Sequence, residues 1–193
     1  MKLGVVACIL ISLACAACGP DGNGSSVTDI TGAMPRLAFS MQRASDGAEV
    51  TARQYRGKIV VLYFGYTHCP DICPTTLANL SDVLHRLGSS AGSVRVLFVT
   101  VDPERDTLPV LKEYARAFAT QIEGLRGDDN SLTDLARRYR VAFEIKKSSP
   151  GQEYSVMHSD AVFIFDRDGR ARLVATSTDD VGGLATDLRN LLR

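Results

Sequence analysis

Two stretches in the middle of the chain are apolar at almost every position: Lys58–Gly65 (KIVVLYFG) and Val94–Val101 (VRVLFVTV). Short, Val-rich runs without polar alternation predict strands covered on both faces of a sheet. Between them the rhythm changes. Leu77, Leu80, Val83, Leu84 and Leu87 recur every three or four residues, which predicts a helix with one apolar face. Pro74 suits its first turn, where no backbone donor is needed, and Gly88 suits its end. Val110, Leu111, Tyr114, Ala115 and Phe118 predict a second helix, with Asp106 or Thr107 as its cap. Ser131 and Asp134 read as a capping pair for a third helix, whose inner face is Leu132, Leu135, Ala136 and Tyr139. Val181, Leu184, Leu188, Leu191 and Leu192 predict a C-terminal helix.

Turn residues place the remaining strands. Ser45-Asp46-Gly47 between Leu37–Arg43 and Glu49–Thr51 is an N-terminal hairpin signal. Val141–Ile145 reads as a short strand. Asp166-Arg-Asp-Gly169 joins Ala161–Phe165 to Arg172–Ala175 in a second tight hairpin. The order βαβα, then αββα, implies an α/β fold. Its central sheet is parallel in its first part and mixed overall, with right-handed crossovers and helices on both sides.

With 193 residues, one domain with a sizeable core is expected. Lys+Arg and Asp+Glu both total 22, so the chain lacks the basic footprint of a nucleic-acid binder. Beyond the first twenty residues no apolar run is long enough to span a membrane. The start of the chain has its own pattern. Lys2 precedes an apolar, small-residue run from Leu3 to Ala17, and a polar Gly/Ser-rich stretch follows. That is the order of a secretory signal. Ala16-Ala17-Cys18-Gly19 resembles a bacterial lipoprotein signal, in which Cys18 is lipidated and becomes the first mature residue; Cys15 is a weaker rival. The expected organisation is therefore a signal peptide over 1–18, a flexible tether over 19–34 and one domain over 35–193. A lipid on Cys18 would hold that domain outside the cytoplasm, at the periplasmic face of a bacterial cell membrane.

The chemistry concentrates in Tyr63-Phe-Gly-Tyr-Thr-His-Cys69-Pro-Asp-Ile-Cys73-Pro-Thr-Thr76, between a buried strand and a helix. Open α/β sheets place their sites at such strand ends. Cysteines at i and i+4 share one face of a first helical turn, about 6 Å apart at Cα, and the helix N-terminus favours thiolate. Both sulfurs can meet one soft metal, or close a disulfide; geometry alone does not choose. Asp71 between them is expected to stabilise the first turn. A structural zinc site wants four protein ligands, and no second cysteine pair exists. A thioredoxin-type motif spaces its cysteines by two residues and sets a proline before a later strand, where this chain has Val156-Met-His-Ser-Asp160. A peroxidase-type site wants a proline upstream of its cysteine; Thr67 is present and the proline is not. His158, just ahead of a strand, stands where a third ligand can face the cysteines, and two thiolates with one imidazole suit copper. His68 adjoins Cys69 but can point away, and His85 belongs to a helix flank. Asp102 and Pro103–Asp106 read as a turn with a helix cap.

YFGYTHCPDICPTT, VDPERDT (Val101–Thr107) and YSVMHS (Tyr154–Ser159) together resemble the SCO/SenC proteins, in the same order and with similar separations, over about Pro35 to Arg193. The resemblance implies a thioredoxin-like fold and an N-terminal membrane anchor. It also implies a copper ion held by Cys69, Cys73 and His158, and delivery of that copper to the binuclear copper site of cytochrome c oxidase during assembly. Many members use a transmembrane helix, whereas this chain carries the lipoprotein-like Cys18. The implied partners are the oxidase's copper-site subunit and an extracytoplasmic thiol reductant or copper donor. On this reading the chain is a metallochaperone rather than an enzyme. The alternative is a thiol–disulfide oxidoreductase in which Cys69 and Cys73 form the redox pair and reduce cysteines of a copper-site partner. Cys69, nearer the helix start, would then be the nucleophile.

Overall fold

The structure, a computed structural model, describes residues 27–146 and 155–193. The expected signal peptide, with Cys8, Cys15 and the lipidation site Cys18, lies outside the described residues. Ten strands and four α-helices follow in order: β1 (Val27–Asp29), β2 (Ser40–Arg43), β3 (Glu49–Thr51), β4 (Ile59–Gly65), α1 (Ile72–Leu87), β5 (Val94–Thr100), α2 (Leu108–Phe118), β6 (Ile122–Arg126), α3 (Asp129–Arg138), β7 (Phe143–Lys146), β8 (Ser155–His158), β9 (Val162–Phe165), β10 (Ala171–Ala175) and α4 (Val181–Leu192).

Eight strands form one mixed sheet in the order β1-β10-β9-β4-β5-β6-β2-β3, and β7 and β8 form a separate two-stranded ribbon. The predicted strand Lys58–Gly65 becomes β4, at the sheet's centre. It runs parallel to β5, from Ile59 opposite Val94 to Gly65 opposite Thr100, and antiparallel to β9, where Tyr63 faces Val162. Every residue of β4 is buried, as its unbroken apolar run requires. Two right-handed crossovers in one direction put α1 and α2 on the same face. On that face Tyr63 of β4 packs against Phe98 of β5, and Phe98 against Tyr114 of α2. The other face is closed by the end of α3, where Tyr139 packs on Phe163 and Phe165 of β9. The result is the thioredoxin-like, mixed α/β architecture with an N-terminal hairpin, β2–β3, that the sequence implies.

Five details differ from expectation, among them a strand, β8, over residues read as the approach to β9. The tether assigned to 19–34 does not extend through 27–34: Val27–Asp29 pairs antiparallel with β10, and Ile30 is buried in the core. An edge strand of three residues leaves little local signal, and its partner lies near the other end of the chain. β6 was not anticipated either, because Glu123, Gly124 and Arg126 interrupt its apolar pattern; a Cβ at Gly124 would come within 3.1 Å of Leu111 Cβ, so α2 packs directly on this backbone. α3 is capped by Asp128, whose carboxylate accepts the Ser131 N–H at 2.7 Å. Ser131 is thus the recipient of the cap, and Asp134 is exposed beside Arg137. Thr107 precedes α2 without a side-chain capping bond, and Asp106 is engaged elsewhere. α1 ends as expected at Gly88, whose φ of 58° a glycine adopts without strain.

Candidate metal centre

β4 delivers the chain to the top of the sheet at Gly65, and α1 starts at Ile72. The six residues between them carry Cys69. The cysteine pair was expected on one helical turn; instead Cys69 lies ahead of the helix, its N–H bonded to the Tyr66 carbonyl at 3.3 Å. Its sulfur accepts the Cys73 N–H at 3.4 Å. A sulfur thus takes an N-terminal donor of α1, while Asp71, at the N-cap position, makes no side-chain capping bond. Asp71 still places its carboxylate at the N-terminus of α1, where the helix dipole favours a negative charge.

The two thiols differ sharply. Cys73 is wholly buried and Cys69 partly exposed. Burial pushes the Cys73 thiol up to about 12. Burial also raises Cys69, but backbone N–H groups of Cys73, Asp71 and Ile72 aim at its sulfur and outweigh it, so its pKa falls below the ordinary thiol value. The close fit of Cys73 depends on Gly65. A Cβ there would lie 2.8 Å from Cys73 Sγ and 2.6 Å from Phe98 Cε2.

His158 ends β8, in the ribbon where it pairs with Phe143. Its Nε2 is 3.3 Å from Cys73 Sγ. Its Nδ1 is 2.9 Å from the Ser159 carbonyl oxygen. A carbonyl only accepts, so Nδ1 carries the hydrogen and Nε2 presents its lone pair toward the sulfurs. The Tyr66 and Tyr63 rings meet the imidazole edge-on, with centroids 5.8 Å and 6.2 Å away. Cys69 Sγ, Cys73 Sγ and one His158 nitrogen all lie within 4.8 Å of one another. Residues 85 positions apart are thereby brought to one point, and their spacing needs only slight closure to surround a single ion with bonds of about 2.0–2.3 Å.

The other candidates fall outside this group. His68 is exposed, its Nδ1 3.0 Å from Thr67 Oγ1, and His85 is exposed on the last turn of α1. The segment after β5 is a turn, as expected, with the Asp106 N–H bonded to the Asp102 carbonyl at 3.0 Å. Its acids have a further role. Asp106 is fully buried and accepts from the Thr67 backbone at 3.0 Å, the Thr67 hydroxyl at 2.5 Å and the Thr100 hydroxyl at 2.6 Å. It fastens the cysteine loop to the end of β5, and that is why it does not cap α2. Asp102, also buried, pairs with Arg105, whose guanidinium lies 5.8 Å from the Tyr66 ring centroid. The VDPERDT segment was the available signal, but nothing in its spacing shows that Asp106 turns inward.

A family model described as SCO1/SenC matches residues 37–193. The Bos taurus protein named "Protein SCO2 homolog, mitochondrial" is 38% identical over 148 residues, covering 72% of this chain and 56% of its own. "Protein SCO1, mitochondrial" of Saccharomyces cerevisiae is 40% identical over 126 residues, covering 64% of this chain and 43% of its own. The chain spans about half the length of the curated relatives it matches. Among solved structures, Bradyrhizobium japonicum ScoI with copper bound superposes with a TM-score of 0.74 at 35% identity, over 81% of this chain and 99% of that one. Yeast Sco1 with copper bound gives 0.74 at 33% identity, over 81% and 87%.

Proposed function

This chain belongs to the SCO1/SenC family, and from that premise we propose that it is a copper-binding metallochaperone that delivers copper to the binuclear copper site of cytochrome c oxidase during assembly. The observation that carries the reading is the convergence of Cys69 Sγ, Cys73 Sγ and a His158 nitrogen within 4.8 Å. Two soft sulfurs and one neutral imidazole suit copper, and Cu(I) in particular, which accepts two or three soft ligands. Cys69 is partly exposed, so a partner's ligand has a way in, and copper can pass through a state shared by the two proteins. The partner is the oxidase subunit that houses the copper site. An extracytoplasmic thiol reductant or copper donor keeps Cys69 and Cys73 reduced and supplied. A lipid on Cys18 holds the domain at the periplasmic face of the membrane. No helix among the described residues is long and apolar enough to cross a membrane.

A second reading has its own observation. The lowered pKa of Cys69 beside the raised pKa of Cys73 is the asymmetry of an attacking and a resolving thiol, and it favours a thiol–disulfide oxidoreductase acting on cysteines of the copper-site partner.

One experiment separates the two. The reduced full chain, in detergent and with Cys8, Cys15 and Cys18 replaced by Ser, is titrated anaerobically with Cu(I) and Cu(II). The same is done for Cys69→Ser, Cys73→Ser and His158→Ala on that background. The metallochaperone predicts one equivalent bound, and a large loss of affinity in each variant. Unchanged binding in His158→Ala, with disulfide reductase activity abolished only in the cysteine variants, would leave the second reading in its place.

A further inference from the structure

One buried polar group beside the cysteines stands outside the group of three. Tyr63 is wholly buried at the centre of β4, yet its hydroxyl makes no hydrogen bond among the described residues. Folding keeps few such groups, because an orphaned buried hydroxyl has given up water for nothing. Its place is specific. Tyr63 and Gly65 are two residues apart on one strand and face the same side of the sheet, and Cys73 Sγ sits against Gly65, 2.8 Å from where a Cβ would be. The Tyr63 ring also meets the His158 ring edge-on. The phenol therefore lies alongside both the buried sulfur and the imidazole. Cys73 and Thr76 are the polar side chains that interact with its hydroxyl, short of a formed hydrogen bond. A phenol is protonated at neutral pH and is a hydrogen-bond donor.

We propose that Tyr63 is a positioning residue of the copper site, whose O–H donates a hydrogen bond to the Cys73 sulfur when that sulfur holds copper as a thiolate. The proposal rests on the copper reading above. A neutral thiol is a weak acceptor, and the Cys73 sulfur already has His158 Nε2 at 3.3 Å. A metal-bound thiolate is a far stronger acceptor. The hydroxyl, short of a formed hydrogen bond beside the sulfur, gains a full acceptor when that sulfur binds copper as a thiolate. A donor on a ligating sulfur lowers the energy of its lone pairs. It weakens charge donation to Cu(II) and favours the more electron-rich Cu(I) state, the kind of outer hydrogen bond that tunes copper–thiolate sites.

Tyr63→Phe tests this in the full chain carrying the Cys8, Cys15 and Cys18 replacements, with Thr76→Val as the companion. The readouts are metal-free melting temperature, Cu(I) affinity by competition, and the sulfur-to-Cu(II) charge-transfer band. Tyr63→Phe is expected to melt no lower than the parent when metal-free, because it removes an unsatisfied group. It should still bind one equivalent, with Cu(I) affinity reduced about tenfold, and its charge-transfer band should move to the red. Thr76→Val should leave the band where it is. One equivalent bound by parent and Tyr63→Phe alike, with band and affinity unchanged, would overturn the proposal and leave the copper reading standing. So would a lower metal-free melting temperature with an unmoved band, which would assign the hydroxyl to the fold through Thr76. A band moved as far by Thr76→Val as by Tyr63→Phe would transfer the role to Thr76. Absence of copper binding by the parent would remove the copper reading and this proposal with it.

Discussion

The sulfurs and the imidazole reach the candidate centre by unlike routes. The cysteines extend from β4, the middle of an eight-stranded sheet, which is paired on both sides and buried along its whole length. Gly65 and Asp106 then fix the loop against β5 from within. His158 arrives on β8, which among the described residues pairs only with β7, in a ribbon outside that sheet. Its position rests on the β7–β8 ladder, on the Ser159 N–H bonded to the Ala142 carbonyl at 3.0 Å, and on two tyrosine edges. One half of the centre inherits the stability of the whole core. The other half depends on a local pairing, and local pairings open at lower free energy than the global fold. On the metallochaperone proposal, a site that holds an ion and then releases it has its ligands divided in just this way.

Removing His158 should separate the halves most cleanly. His158→Ala is expected to lower Cu(I) affinity by more than about a hundredfold, beyond the range typical of losing an outer partner, while the metal-free melting temperature hardly moves. Asp106→Ala attacks the sulfur half. It leaves the Thr67 N–H and the buried Thr100 hydroxyl without their acceptor, and about 2–3 kcal/mol of stability should be lost in denaturant unfolding. Matched truncations compare the halves directly. Val61→Ala in β4 should cost about 2 kcal/mol globally. Val156→Ala in β8 should cost less, about 1 kcal/mol, but should speed amide hydrogen exchange in β7 and β8 ahead of the rest. Equal, global effects for the two would dissolve the distinction.

A pH series sharpens it further. The folded Cys73 thiol titrates at about 12, against about 9 when exposed. The folded state then binds the proton more tightly than the unfolded state, so this contribution is complete below pH 9 and is lost as pH climbs toward 12. Cys73→Ser should flatten that decline between pH 9 and the onset of general alkaline unfolding. Least affected of all should be His68→Ala. The ring neighbours Cys69 in sequence but is exposed and outside the ligand group, and copper affinity should stay within about twofold.

Much of this was legible in the chain itself, for identifiable reasons. β4, β5, α1 and α2 carry strong periodicities because each buries a wide surface, and the pattern is that burial written in sequence. The convergence of Cys69, Cys73 and His158 was legible because His158 stands just ahead of β9, at the strand end that faces the cysteine loop. What escaped notice was held by partners distant in the chain. β6 is a strand because Gly124 lets α2 settle on its backbone, and no apolar alternation marks that contact. β1 exists through β10. Asp106 reads as a helix cap until Thr67 and Thr100 are seen beside it. An i, i+4 cysteine pair fits a helical turn equally well, which draws Cys69 into the helix on sequence alone; its role as acceptor for the Cys73 N–H is visible only in three dimensions.

The register of β9 against β4 sets a limit on how far the two halves can part. His158 is four backbone steps from Val162, and Val162 stands opposite Tyr63 in the ladder. Four extended steps span at most about 14 Å. Even with the ribbon undone, the imidazole would remain hinged to the strand that supports the sulfurs, free to swing aside like a gate on its post and short enough in reach to find them again.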